Sequence, residues 1–306
     1  MKVHQMSFRT PIYRGQMAVV MALASAALIG AIALSTDVGL LYYNWGLLQK
    51  AADSAVLAGA NYLPGDAAIA ISTANSFAAQ NGIANAEVDS TTVAADQMSI
   101  GIHLTRTVPY YFAKMVGLSA GVVTVQATAG LAGVGSVSRM VPVGIDSRTS
   151  YTYGQPVSLI TGQYGPGNWG PLALGGTGAS NFASNVQYGY VGQFSVGQML
   201  ATETGMMVGP TRSAFDARLT AGVNSDPGGT FANHSLNDPR IMTVPIVDYA
   251  NINGNSQVPL LGFAELWLVG VDSHDTISTY FIKQVTNGTP SAGAPNYGAW
   301  QVVLIK

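Results

Sequence analysis

Met17 to Thr36 reads MAVVMALASAALIGAIALST, twenty residues without a charge. At about 1.5 Å of rise per residue, a helix of that length covers roughly 30 Å, the thickness of the hydrocarbon core of a bilayer. The run therefore reads as a transmembrane helix over 17–36. Lys2, Arg9 and Arg14 precede it, and Asp37 is the first charge after it. The positive-inside bias then makes 1–16 a cytoplasmic tail and places everything beyond the span outside. The apolar region of a cleaved signal peptide is shorter, about 7–15 residues. The small-residue triplet Ala22-Leu23-Ala24 lies in the middle of the run rather than at its end, so the expectation is a retained anchor.

Helical patterning continues past the span. Leu40, Leu47, Ala51, Ala55, Ala58 and Tyr62 recur at spacings of three, four and seven, which predicts a stalk helix over 37–64 with a break or bend at Asp37-Val38-Gly39. Asn61 and Pro64-Gly65 supply its stop. Ala51, Ala55 and Gly59 form a ridge of small residues four apart, a candidate helix-packing face. Such a face serves two uses, packing against this chain's own domain or against a partner subunit, and the residues leave both open.

Composition restricts the rest. Of 306 residues, 48% are hydrophobic and only 9% charged, against about a quarter charged in ordinary soluble domains. One uncharged apolar run cannot account for that deficit. The remaining chain is rich in uncharged polar residues, and the whole sequence has 36 Gly and 14 Tyr, a texture that suits a β-rich cell-surface protein. The net charge of −2 gives nucleic acid no electrostatic footing. The lack of any cysteine excludes disulfides, thiolate metal sites and thiol chemistry together.

Three stretches, in order, carry a family likeness: Arg14-Gly15-Gln16-Met17-Ala18-Val19, Asp37-Val38-Gly39, and Leu48-Gln49-Lys50-Ala51-Ala52-Asp53-Ser54-Ala55-Val56-Leu57-Ala58-Gly59-Ala60. Together they resemble the N-terminal module of TadE/TadG-like proteins, membrane-anchored components of the bacterial tight-adherence (Flp) pilus assembly machinery. The resemblance implies a bacterial cytoplasmic-membrane protein with the bulk of the chain extracytoplasmic, whose partners are the membrane and other pilus-assembly or secretion subunits. Two departures qualify it. Pseudopilins of that system carry a Glu a few residues after a cleavage Gly, whereas Gly15 is followed by Gln16-Met17-Ala18-Val19-Val20-Met21. The uncleaved, TadG-like half of the group fits better. Long members also carry a von Willebrand A-like metal motif, D-x-S-x-S. Here Asp146 is followed by Arg148 at the first Ser position, with only Ser150 in place, and Arg supplies no oxygen ligand.

Beyond the stalk, 65–135 reads as a small α/β unit. Asp66–Gln80 has a helical pattern ended by Asn81-Gly82. Met98 to Thr105 alternates as a strand, Val108-Pro109 opens a short helix closed at Gly117, and Val123 to Ala129 alternates again. His103 falls on the polar face of its strand. From Ser136 to the end, short apolar runs separated by turn residues predict a β-rich exported domain, a sandwich or small barrel. Its strands are expected at 140–145, 157–161, 172–174, 193–196, 241–247, 260–271, 277–285 and 300–305. Helices are expected at 179–188 and from an N-cap at Thr211 to Ala221. Gly175–Asn181 and Gly205–Thr211 resemble a module found at the C-terminus of some TadG-like proteins. The fold class is thus α+β: a transmembrane helix running into a stalk helix, a small α/β unit and a β-rich C-terminal domain.

No stretch completes a catalytic set. Gly175-Gly176-Thr177-Gly178 lacks the Gly-Lys-Ser/Thr of a phosphate loop. Asp272-Ser273-His274-Asp275 gathers ligand types with no second His motif to complete a metal set. Asp248, Asn251, Asn253, Gly254 and Asn255 have the first ligand of a calcium loop out of register and no closing Glu. Glu265, inside Phe263-Ala264-Glu265-Leu266-Trp267-Leu268, shares a strand face with Phe263 and Trp267. Either that face is exposed or the carboxyl is buried with its pKa raised; the cost of burying an unpaired carboxylate favours an exposed edge. The expectation is a noncatalytic structural or assembly protein without cofactor or metal. A surface binding or adhesion module borrowing the same anchor is the alternative, and an exported hydrolase using Glu265 or the Asp272–Asp275 loop is the third reading.

Overall fold

The computed structural model describes residues 14–159, 170–203, 208–250, 252, 254–272, 276–286, 288–291, 294 and 297–305. Helix α1 (Arg14–Ala60) is continuous for 47 residues. At about 1.5 Å per residue it is roughly 70 Å long. The expected break at Asp37-Val38-Gly39 does not occur. Ser35 and Thr36 return their hydroxyls to the carbonyls of Ala31 and Ile32 at 2.8 and 2.9 Å, and the helix passes through Gly39 intact. From residue 17 to 32 every side chain of α1 is exposed, whereas most from Leu48 to Ala60 are buried.

One helix thus has two environments. Its inner stripe is Leu48, Ala51, Ala52, Ala55, Val56 and Ala60. Leu47, assigned to that stripe by periodicity, faces out. Helix α2 (Ala67–Gln80) begins where the Asp66 side chain accepts the Ile69 N–H at 2.9 Å, and it buries Ala70, Ala74 and Ala78. The two alanine-rich surfaces meet closely because neither carries a large side chain.

Thirteen strands occur among the described residues: β1 (Val88–Val93), β2 (Ser99–Pro109), β3 (Ala120–Val137), β4 (Ile145–Asp146), β5 (Pro156–Leu159), β6 (Phe194–Ser195), β7 (Met199–Ala201), β8 (Ile241–Val247), β9 (Gln257–Val271), β10 (Ile277–Ile282), β11 (Gln284–Val285), β12 (Gly288–Pro290) and β13 (Ala299–Ile305). They form two sheets and give an α+β fold. The first has the order β1-β2-β3-β13-β11, with β12 and β6 also on β3; the second has the order β4-β8-β9-β10-β5, with β7 on β9. In the first sheet Ile100, Ile102, Leu104, Val125, Ala127 and Ala129 alternate inward onto α1 and α2. In the second, Met242, Val244, Ile246, Ala264, Leu266 and Leu268 pack on α3 (Ala179–Tyr188) and α4 (Val208–Ser225) through Phe182, Val186, Ala214 and Phe215.

Several sequence expectations shift. β3 is 18 residues long and runs through residue 135, so its far end, Val134 and Val137, packs with Phe263 and Leu260 of the second sheet. The C-terminal strand β13 pairs antiparallel with β3, Trp300 opposite Gly133 through Ile305 opposite Thr128, and so belongs to the first sheet. β1 was not anticipated, since its mostly polar sequence VDSTTV at a sheet edge shows no burial alternation. Pro109 ends β2 rather than opening a helix, and only a single 3-10 turn, Ala113–Val116, follows, closed by Gly117 at φ 89°. α4 begins upstream of Thr211, which is buried inside the helix instead of capping it.

Candidate functional site

The stalk face comes first. Gly59 lies so close to α2 that a Cβ there would stand 2.6 Å from the Ala70 carbonyl oxygen and 3.0 Å from both Ala74 Cβ and Ile100 Cδ1. Ala51 and Ala55 are buried in the same core. The structure therefore places Ala51, Ala55 and Gly59 against the chain's own helix and sheet. A polar link also ties the same helix to the sheet: Gln49 Nε2 donates to the Gln126 carbonyl of β3 at 3.2 Å and, within the helix, to Asp53 Oδ1 at 2.8 Å.

Two further polar contacts tie α1 to the first sheet. Asp37 is only 4% exposed although it lies on a helix whose preceding residues are bare. Its carboxylate accepts the backbone N–H groups of Tyr111 at 2.8 Å, Phe112 at 3.1 Å and Ala113 at 2.7 Å, the free donors at the start of the 3-10 turn. Eleven residues above Gly117's end of the β2–β3 hairpin, Arg106 joins Glu87 through its Nε and through Nη2 at 3.0 Å, reaches the Gly82 carbonyl at 3.2 Å, and approaches Asn44 of α1 at 3.4 Å. Hydrogen bonding from Arg106, opposed by partial burial, holds the Glu87 carboxyl below its ordinary range, and the Glu87 contact raises Arg106 in turn.

A cavity of about 750 Å³ that concentrates polar groups lies where the two sheets meet. Its lining includes Asn61 at the end of α1, Arg218 of α4, Thr243 of β8, Glu265 of β9, Thr286 and Gln301 of β13. Glu265 is 1% exposed, which overturns the exposed-face expectation: β9 is an interior strand between β8 and β10, and both of its faces are covered. Oε1 accepts from the Thr243 hydroxyl at 2.7 Å, while Oε2 has no hydrogen-bond partner among the described residues. Burial pushes this carboxyl up to about 7, against the opposing pull of the Thr243 and Thr286 hydroxyls and the Arg218 guanidinium. Arg218 itself is satisfied by main-chain carbonyls, Pro239 at 2.6 Å, Val186 at 2.8 Å and Ile241 at 2.8 Å, and its burial lowers it to about 10. Beside it, Trp267 is covered by the Arg240 guanidinium 4.4 Å from the ring centre, and Arg240 is fixed to Asp238 at 2.7 Å.

Chemically, this arrangement offers one carboxyl able to change protonation near neutrality, with the Thr243 and Thr286 hydroxyls beside it and the Arg218 guanidinium in the same lining. Groups of three or more His, Asp or Glu able to hold a metal do not occur among the described residues.

The remaining sequence candidates resolve individually. Asp146, where a metal motif would begin, is engaged by Arg148: its Oδ1 accepts the Arg148 backbone N–H at 3.0 Å and the guanidinium Nε at 3.0 Å, and Nη2 closes on Oδ2. The Arg that breaks the motif also occupies the carboxylate. In the Gly175–Gly178 turn, the Gly178 N–H points at Glu203 Oε2, 3.3 Å away, so the chain's own carboxylate sits where a phosphate would. Asp248 closes a local turn by accepting the Ala250 N–H at 2.8 Å. Asn251 and Asn253, Ser273 to Asp275, and 204–207 of the second glycine-rich stretch lie outside the described residues, as do Lys2 and Arg9. His103 is exposed. For Glu265 the structure selects the buried carboxyl with a raised pKa over the favoured exposed edge; Asp37 carries a family signal whose physical reason is the backbone of 111–113.

Residues 15–61 match the model of a family described as Flp pilus-assembly TadE/G-like. The match spans nearly all of α1, including Asp37 and the Ala51, Ala55 and Gly59 face. No curated protein and no solved structure matches the chain. The matched module and a helix long and apolar enough to cross a bilayer support a membrane-anchored, pilus-related protein.

Proposed function

We propose that this chain is a noncatalytic structural component of a Tad/Flp-type pilus assembly or secretion system. It is held in the bacterial cytoplasmic membrane by the first half of α1, with the N-terminus cytoplasmic and the two sheets outside. The observation that carries the reading is the division of α1 itself. The family-matched helix is bare and apolar through its first half and is a central core element of the first sheet through its second. A helix so used is both anchor and scaffold, and it fixes the orientation of the sheets relative to the bilayer without a flexible linker. The retained-anchor reading adds that Gly15 is not followed by processing. Partners would be neighbouring envelope subunits of the same system. The test is affinity purification of the full chain from membranes of its native host. Retention of pilin, ATPase or other membrane components of that machinery is expected, and their consistent absence would sink the proposal. N-terminal sequencing of the extracted protein checks the anchor separately, since a start at Gln16 contradicts retention.

The polar cavity favours a second reading, a surface binding protein on the same anchor. Its lining combines Thr, Gln and Asn side chains with Arg139, Asp238 and a protonatable Glu265, a set of donors and acceptors that suits a small polar ligand such as a sugar. Saccharide binding that disappears in Gln301→Leu, without any co-purifying assembly component, would favour this alternative.

A further inference from the structure

We propose that the tip of the β2–β3 hairpin, 111–118, is a second membrane-contacting element that docks into the headgroup and acyl boundary beside α1. The inference rests on the membrane-anchored reading above and adds a contact that reading does not contain.

The tip is Tyr111-Phe112-Ala113-Lys114-Met115-Val116-Gly117-Leu118. Met115 is 86% exposed, Val116 78% and Tyr111 70%, with Phe112 and Leu118 also exposed. A soluble surface rarely concentrates large apolar side chains in this way, and such patches mark contact sites. Most of the apolar residues of the first sheet's unit are buried, so the tip is an exception rather than a trend.

Its height along α1 identifies the occupant as lipid. Asp37, the residue directly after the apolar run, holds the 111–113 backbone by three hydrogen bonds. Nearby, a Cβ on Gly121 would lie 2.9 Å from Leu41 Cδ2, so the strand leaving the tip also lies against this part of α1. Exposed Tyr42, Tyr43 and Trp45 follow on the helix, Tyr42 stacked on Trp45 at 5.8 Å. Tyr and Trp at the end of a span settle at headgroup level. Asp37 lies five to eight residues closer to the bilayer centre than this belt, about 8–12 Å along the helix axis. A segment tied to Asp37 is therefore carried to the lipid surface or below it. The same placement gives the Asp37 contacts a reason, because backbone donors at that depth have little water to turn to and need a protein acceptor. Lys114, exposed within the tip, has the long stem and charged head that reach phosphate groups from such a position.

The chain contains no cysteine, so single-cysteine nitroxide labels report unambiguously. Full-length Met115→Cys, Ala24→Cys and Val191→Cys are labelled and reconstituted in vesicles of phosphatidylethanolamine and phosphatidylglycerol. Collision with oxygen, which enriches in lipid, is compared with collision with a water-soluble nickel chelate. The expected result is preference for oxygen at 24 and 115 and the reverse order at 191. A label at 115 that favours the nickel reagent while 24 favours oxygen overturns the tip contact and leaves the anchor standing. A label at 115 shielded from both reagents means a protein covers the tip, and also overturns it. An aqueous label at 24 removes the anchor reading and this inference together.

Discussion

Asp37 Oδ2 accepts a hydrogen bond of 2.7 Å from the backbone N–H of Ala113, 76 residues further along the chain. Through this contact and its neighbours at Tyr111 and Phe112, the first residue beyond the apolar run caps the turn at the end of the longest hairpin. The Asp in the D-V-G stretch is thus a fastening between the apolar half of α1 and the unit built on the first sheet.

Asp37→Ala removes the acceptor for three backbone donors while leaving α1 uninterrupted. Amide exchange in 110–119 should accelerate by roughly tenfold or more, as for loss of a helix cap. Exchange in α2 and β9 should remain unchanged. Hydrogen-exchange mass spectrometry on the detergent-solubilised chain reads both, and equal acceleration everywhere would contradict a local fastening.

Gly59→Val forces a side chain against the Ala70 carbonyl, backbone that cannot rotate away. Overpacking of this kind costs about 1–3 kcal/mol. Gly46→Ala is the matched control: a Cβ there meets nothing within 4 Å, and replacing a helical Gly gains up to about 1 kcal/mol. Denaturant unfolding should separate the two variants in opposite directions. If Gly46→Ala instead lowers recovery of co-purified partners, the open space beside that position of α1 is a partner contact.

Glu265 ties stability to pH. Its folded value, about 7, lies above the ordinary carboxyl value of 4.5, so the folded state favours the proton. The resulting stabilisation is complete below about 4.5 and lost as pH rises through about 7, a total of about 3 kcal/mol. Glu265→Gln keeps the shape without the charge and should flatten the change between about pH 5 and pH 8. Unfolding of both proteins at the two pH values checks it, and an equal slope in the variant would show that another group is responsible.

Glu87 works with the opposite sign. Arg106 lowers its carboxyl, so that stabilisation is present above the ordinary value and disappears as pH falls below it. Arg106→Ala should cost about 1–3 kcal/mol at neutral pH, as for a lost charge-assisted hydrogen bond. The deficit relative to the parent should shrink on acidification. The two glutamates therefore act in opposite directions, Glu87 contributing above and Glu265 below the ordinary carboxyl value.

The apolar run 17–36, the alanine-rich stalk and the family likeness were legible because each depends on local features: length without charge, residue spacing and motif order. Helix α3 and strands β8 and β9 were legible for the same reason, their patterning being strong within a single segment. The continuity of α1 through Gly39 was not, since the Asp-Val-Gly stretch reads locally as a breaker while the packing of residues 41 and 44 to 60 against the first sheet and α2 lies elsewhere in the chain. Leu47 and Leu48 show the same limit, because periodicity finds a stripe to within a residue or so and packing against α2 and β3 selects which member turns inward.

Tertiary structure alone decided the placement of β13, which crosses back to β3 across a separation of more than 160 residues. That pairing makes β3 shared structure between two expected units and creates the junction in which the cavity lies. It also decided Glu265, whose alternation with Phe263 and Trp267 is compatible with either an exposed or a covered face. Burial there follows from β8 and β10 flanking β9 and from the first sheet closing over it, facts no local pattern contains. Asp37 stands between the two cases: the sequence marked it as the end of the span, and only the fold supplied Tyr111, Phe112 and Ala113 to bind it. The chemistry of an element is written in its own residues, but the partner that satisfies a buried polar group comes from wherever the chain returns.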